Sequence, residues 1–553
     1  MKPVLAIINL KYGIEKDDMS QNKSAHEALG GRPTVRSKNG MVAAAHPLAA
    51  NAGADILRKG GNAFDAVAAT AAALNVVEPF MSGLAGAGGA TYFLAADSAV
   101  KSIDFIPPVP AGFDLNQVDK AKTESGSSAS VTPGNLAGWH ALQSRYGRLN
   151  FDEVLQPAIR LAKGGFPVSS FFVAMTRASI GRIKDPEWQR VFRVEQDWQT
   201  GQVLQLSDLA ETLEQIATEG ITCLYGGALG EKLVSRIQSD GGAIGMADLE
   251  AVSPIWEPPI SATYRNRQVN VLPPPQESFQ ILLSLRMLEE FDFASRDLLS
   301  ADHLDLVFRV IRIAAGIRIQ NNQKEISDID ALLLDVDELV ARAGDAEPIV
   351  GPTENWASGG PFDRSALKEH TTSMSVADKE GNLVCLTNSL GSPYGSGVMI
   401  PGTGIVMNNF LNWGDLDPNS PNVLTAGQRV AMCMAPSITT HNGRGILALG
   451  TPGSYGILQT TVQAMVGYFD YDLELQDAIN MPRARMQDGT EVQIENRVSE
   501  SVRKTLESRG HRITVLPAYS WATGGMQAVS RDPESGALAG AADNRRDGAA
   551  IPA

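Results

Sequence analysis

Cysteine is scarce in this chain: Cys223, Cys385 and Cys433 are the only three in 553 residues. An odd number without metal-type spacing excludes a disulfide framework and gives no reason to expect a zinc site. Cys223 and Cys385 read as buried apolar thiols. A basic surplus is also missing. Lys and Arg number 47 against 62 Asp and Glu, a formal net charge of −15. The surface therefore lacks the cationic field that phosphate backbones require, and nucleic acid is not an expected partner. No stretch approaches the ~18 consecutive apolar residues of a membrane span. The apolar run within Met1–Lys11 is short, and Glu15, Lys16, Asp17 and Asp18 follow it without a small-residue cleavage site, so a cytoplasmic location is the expectation. There is no internal repeat and no heptad run, which excludes solenoid and coiled-coil architectures.

What is present is ordinary globular material: 43% apolar and 20% charged residues, enough for a large core. Length alone predicts three or four domains. Residues 1–38 read as a polar N-terminal extension. The body opens at Gly40–Ala45, a short apolar strand, followed by His46-Pro47. Ala49, Ala52, Ile56 and Leu57, then Ala66, Ala69, Ala73 and Leu74, recur at helical spacing and predict helices over 48–60 and 62–77. Glycines 83, 86, 88 and 89 lead into a strand at 90–96. A mostly helical middle, 150–345, is interrupted by strands at 261–272 that end at Pro273-Pro274-Pro275. Residues 346–370 have loop composition, and 371–553 alternate strands with helices near 455–468 and 498–509.

The most informative stretch is 370–391, which reads as a strand, a tight Asp378-Lys379-Glu380-Gly381-Asn382 turn and a second strand. Hydroxyl residues crowd its open end. A threonine becomes a complete catalyst once the bond before it is cut: its hydroxyl is the nucleophile and its freed α-amine, titrating near pH ~8, is the base. Thr371 is the candidate.

Residues 371–409 resemble the start of the small subunit of the γ-glutamyltranspeptidases, which are N-terminal-nucleophile hydrolases. The resembling pieces include Thr371-Thr372-Ser373, Asp378–Asn382, Thr387 and Gly404–Asn409, with a glycine-rich block at Gly450-Thr451-Pro452-Gly453-Ser454. Upstream, Gly60–Ala66, Val77-Glu78-Pro79, Gly86–Gly89 and Thr132-Pro133-Gly134 resemble the family's large subunit, and Asp543–Gly548 its tail. The resemblance implies an α+β fold, the four-layer αββα sandwich. A large subunit, 39–370, and a small subunit, 371–553, interleave in it into one globule and persist as a heterodimer of fragments. It also implies cleavage between His370 and Thr371, a small-molecule amide substrate, and no metal or organic cofactor.

Residue by residue, Thr371 falls at the nucleophile, Ser389 where the family has a threonine bonded to it, and Gly453 and Ser454 at the backbone oxyanion donors, with Ser replacing the second glycine. The acyl-binding positions depart from the family. Ile106 stands in place of the carboxylate-binding arginine, Gly391 of an asparagine, Phe410 of a glutamine or glutamate, Trp413 of the ammonium-binding aspartate, and Met432 and Cys433 of two serines. An ionised amino-acid head buried against such groups would cost several kcal/mol. The expectation is an N-terminal-threonine amidohydrolase or acyltransferase taking a non-γ-glutamyl acyl group, as in relatives resembling the cephalosporin acylases. Two alternatives stay open. One is a genuine γ-glutamyl hydrolase or transpeptidase using other ligands, with Arg429, Arg483 and Arg485 available. The other is an uncut, inactive scaffold. The segment between Trp413 and Arg429 is shorter than in many relatives, so an open mouth is expected.

Overall fold

The computed structural model describes residues 32–193, 197–344 and 370–553. Two antiparallel sheets of seven strands each carry the fold. In chain order their strands are β1 (Val35–Ser37), β2 (Gly40–Ala44), β3 (Ala87–Leu94), β4 (Ala99–Asp104), β5 (Ile255–Glu257), β6 (Ile260–Tyr264) and β7 (Arg267–Val271). After these come β8 (His370–Asp378), β9 (Leu383–Gly391), β10 (Ser437–His441), β11 (Arg444–Gly450), β12 (Gln527–Arg531), β13 (Leu538–Ala542) and β14 (Ala549–Pro552). One sheet runs β14-β2-β8-β9-β3-β4-β5 and the other β1-β13-β12-β11-β10-β7-β6. Each contains strands from both sides of residue 371, so the two halves of the chain are woven together.

Met41, Ala43, Ala377, Leu383 and Cys385 from the first sheet meet Ile438, Ala448, Val529 and Leu538 from the second in an apolar seam. The outer face of the first sheet is covered by α1 (Pro47–Arg58) and α2 (Ala63–Val77), that of the second by α3 (Phe279–Glu289), α4 (Ala301–Gln320) and α5 (Ile457–Phe469). Helix, sheet, sheet, helix is the resulting layer order.

Every residue of α2 is buried, which its alanine-rich sequence permits. Its start is fixed by a capping box: the Asn62 side chain accepts from the Phe64 and Asp65 N–H groups, while Asp65 accepts from the Asn62 N–H. The helix is tied to the β8–β9 hairpin at both ends. The Asp378 carboxylate in the hairpin turn accepts from the Ala63 N–H at 3.0 Å and from the Asn382 N–H at 3.0 Å. At the other end Glu78, the C-cap of α2, takes the Thr372 hydroxyl at 2.7 Å.

Most sequence-predicted elements stand within a few residues of expectation, and two corrections follow. Residues 35–37 are not part of a featureless extension: they pair with Gly540, Ala539 and Leu538 as the edge strand β1. The C-terminal part also holds a short helix, Leu475–Asn480, and a three-stranded sheet beyond the predicted elements. Residues 1–31 and the loop 345–369 lie outside the described residues.

Candidate active site

Thr371 and Ser389 are direct cross-strand partners on β8 and β9, with an irregularity in register between His370 and Thr371. The Thr371 hydroxyl donates to Ser389 Oγ at 3.2 Å, and Ser389 Oγ also accepts from the Gly391 N–H at 2.9 Å. Side chains alternate along a strand, and Thr371 shares its face with Ser373 and Ser375. Ser375 Oγ donates to the Gln527 carbonyl of β12 at 3.0 Å. The nucleophile's face is therefore the one turned toward the second sheet.

Ser373 sits directly over Gly450. A Cβ on Gly450 would lie 2.1 Å from Ser373 Oγ and 2.8 Å from Cys385 Sγ, so only glycine lets the sheets meet here. From Ala448, which packs in the seam with Ala377, β11 runs past Gly450 toward the Thr371 end of β8. Gly453 and Ser454 thus emerge at the nucleophile's end of the sandwich. Gly453 has φ +133° and Ser454 φ +54°. Both lie where L side chains are disfavoured, so the serine that replaces glycine adopts the glycine-like conformation.

Behind the nucleophile lies a buried polar group from two remote segments. Arg546, in the connection from β13 to β14, donates from Nη1 to the Thr371 carbonyl at 3.1 Å. Glu78 Oε2 accepts from Thr372 on the opposite face of β8. Burial pushes the Glu78 carboxyl up to about 7, against the Thr372 hydrogen bond and the Arg546 charge, while burial draws Arg546 down to about 10. The next residues along the same connection are structural. Burial works to raise Asp543, but Arg483 and Arg545 outweigh it and hold it at about 2.

Ile106, Phe410, Trp413, Met432 and Cys433 are all buried and belong to the large apolar core that also holds α3, α4 and α5. Ser389 pairs with Ala87 and Gly89 with Asp104, so Asp104, three strands from β8, shares the nucleophile's face, and Ile106 follows two residues beyond the end of β4. Gly391 has φ +97°, and a Cβ there would lie 2.3 Å from Asn409 Oδ1, which excludes a side chain. The arginines that could have supplied charge have partners. Arg429 bridges Asp104 at 3.2 Å and Glu257 at 3.5 Å; Arg483 pairs with Asp543; Arg485 is buried and donates to the Ala522 carbonyl at 3.1 Å. Thr371 itself is buried, 5% exposed.

Comparison with known proteins bears on this arrangement. The family model described as Gamma-glutamyltranspeptidase matches residues 49–553. The chain belongs to the gamma-glutamyltranspeptidase family. It is 34% identical to an Acylase ACY 1 proenzyme of Pseudomonas sp. (strain V22), with 94% of each chain covered. It is 29% identical to the Glutathione hydrolase proenzyme of Bacillus subtilis (strain 168), covering 93% of this chain and 91% of the relative. The crystal structure of a cephalosporin acylase from Bacillus halodurans superposes with a TM-score of 0.85 at 30% identity, covering 95% of this chain and 97% of that one. The chain is thus an enzyme of this family with the N-terminal-nucleophile hydrolase fold.

Within this gamma-glutamyltranspeptidase-family site, two features were not read from sequence. One is the Arg546–Glu78 group just described. The other is a fully buried ion pair, Arg318 to Glu277 at 2.7 Å, with the guanidinium stacked 4.1 Å from the Tyr455 ring centre. Tyr455 follows Ser454 in the chain and lies 5.7 Å from Trp413, ring to ring. Glu277 could have drawn attention as a carboxylate after a proline run, but Arg318 looks like one basic residue among several on α4.

Proposed function

We propose that the chain cuts itself before Thr371 and then hydrolyses amides of an acyl group other than γ-glutamyl. In the first step Thr371 Oγ attacks the His370 carbonyl carbon and the bond to the Thr371 nitrogen breaks, leaving an ester. Water hydrolyses that ester to a His370 carboxylate and a free Thr371 amine. The amine then takes the proton from Oγ as the same oxygen attacks a substrate amide. The leaving amine departs protonated, and water releases the acid. Ser389 holds the nucleophile's hydroxyl, and the N–H groups of Gly453 and Ser454 receive the developing oxyanion, at roughly 3 kcal/mol of barrier per donor. Fragments 1–370 and 371–553 stay associated as a heterodimer, as the strand interleaving demands.

The observation that carries this reading is the Thr371–Ser389 hydroxyl pair at the open end of the β8–β9 hairpin. The acyl preference rests on the apolar side chains of Ile106, Phe410, Trp413, Met432 and Cys433, all buried, at positions where the family carries polar head-group ligands. The names of the acylase relatives agree with this direction. A screen of acyl amides with the cut protein, with Thr371→Ala as blank, tests it. Turnover of apolar acyl amides well above that of a γ-glutamyl anilide, with or without an acceptor dipeptide, is expected. The reverse order would return the protein to γ-glutamyl chemistry.

A further inference from the structure

We infer that Arg546 sets the basicity of the amine that cleavage creates at Thr371, with Glu78 as its buried counter-charge. This rests on the reading of Thr371 as an N-terminal nucleophile.

Strand parity gives the direction. The Asp378 N–H donates across the hairpin to the Asn382 carbonyl at 3.2 Å, so the backbone groups of Asp378 face β9. In an antiparallel strand the N–H and C=O of one residue point to the same edge, and successive residues alternate. Counting back from Asp378, Thr372 also faces β9, whereas the Thr371 carbonyl faces the opposite edge. The register irregularity lies between His370 and Thr371, at the peptide that carries the Thr371 nitrogen, so the count fixes the direction of the Thr371 carbonyl. β2 covers that edge only from Met374 to Asp378. Arg546 takes the open place and donates to the Thr371 carbonyl at 3.1 Å. The bonded carbonyl and the nitrogen that becomes the α-amine belong to the same residue, so covalent geometry alone keeps the guanidinium close to that nitrogen.

Arg546 is buried, and its Nε and Nη2 have no hydrogen-bond partner among the described residues. It lies 5.5 Å from the Phe171 ring centre and 3.9 Å from Met81 Sδ. Glu78 closes the group from the end of α2, with its Oε1 also unpartnered. The other charges nearby are Asp547, bonded to Ser169, and Asp543, which Arg483 and Arg545 engage.

An ordinary α-amine titrates near ~8. A guanidinium roughly 6 Å away at an effective dielectric near 20 disfavours the ammonium by about two pH units, and an ionised carboxylate beside it returns part of that. Arg546 thus keeps the amine a free base at neutral pH, and it acts through position and charge without touching the reacting atoms. Burial keeps Glu78 protonated below about 7. Glu78 then no longer offsets the cation in the acidic range, where the amine most needs help to stay neutral.

Competitive acetylation with acetic anhydride across pH 5–10, read by mass spectrometry on the 371–553 fragment, titrates the amine directly and needs no substrate. The parent amine is expected to titrate well below 8. Arg546→Gln should raise that value by at least one unit, Arg546→Lys should stay within about half a unit of the parent, and Glu78→Gln, which replaces a carboxyl already neutral in that range, should leave it within about half a unit. A purely structural role for Arg546 would reduce the yield of cut protein without moving the titration. Coincident titrations of the parent and Arg546→Gln would overturn the inference. If Arg546→Gln is not cut, a parent amine that titrates at about 8 or above overturns it alone. A parent chain with no Thr371 amine to label would instead refute the nucleophile reading on which it stands.

Discussion

Single atoms separate chemistry from folding at this site. The Thr371 hydroxyl bonds Ser389 at a buried position, so Thr371→Ala should leave a folded, uncut chain, seen as one band on a denaturing gel with thermal stability within about 1 kcal/mol of the parent. In the proposed oxyanion loop only backbone N–H groups are required. Ser454→Gly should therefore keep activity within a few-fold and relieve roughly 1 kcal/mol of left-handed strain at φ +54°. Gly453→Ala, at φ +133°, should lower kcat/KM by about 100-fold or more as the donors shift; matched kinetics for the two variants would show that the loop does not hold the oxyanion. The Thr371–Ser389 pairing was legible because both residues sit in a local hairpin motif whose spacing survives in the chain. Arg546 was not: it meets Thr371 across 175 residues, and nothing local to Asn544-Arg545-Arg546 tells which arginine reaches the nucleophile.

At the scale of elements, the sheet-to-sheet contact at Gly450 holds the loop in place. Gly450→Ala puts a methyl against Ser373 Oγ and Cys385 Sγ, and overpacking of this kind costs about 1–3 kcal/mol. A lowered urea midpoint is expected, with part of the loss recovered when Ser373→Ala is added; two independent, additive effects would show that the strands do not press on each other there. The hairpin and α2 were readable because their signals are local: a turn sequence in one, a 3.6-residue apolar period with a capping asparagine in the other. β1 was not readable. Its three residues gain strand character only by pairing with Leu538–Gly540, and three residues carry too little alternation to reveal that edge. The short helix Leu475–Asn480 escaped for the same reason.

Over the whole molecule, the interleaving of strands from both sides of residue 371 means that cleavage opens one bond and releases neither fragment. Acid should weaken the sandwich through groups that fold neutral. Burial, helped by Arg296, lowers His303 to about 3, so its contribution is complete above the ordinary value near 6.5 and is lost progressively as pH falls toward 3. By pH 5 that loss is about 2 kcal/mol, and urea midpoints at pH 7 and 5 should differ by less in His303→Gln than in the parent. The most direct test of the catalytic reading is the intact mass and N-terminal residue of the purified protein. Two chains, 1–370 and 371–553, the second beginning with a free threonine amine, are predicted. A single uncut polypeptide of 553 residues, behaving like Thr371→Ala, would contradict it.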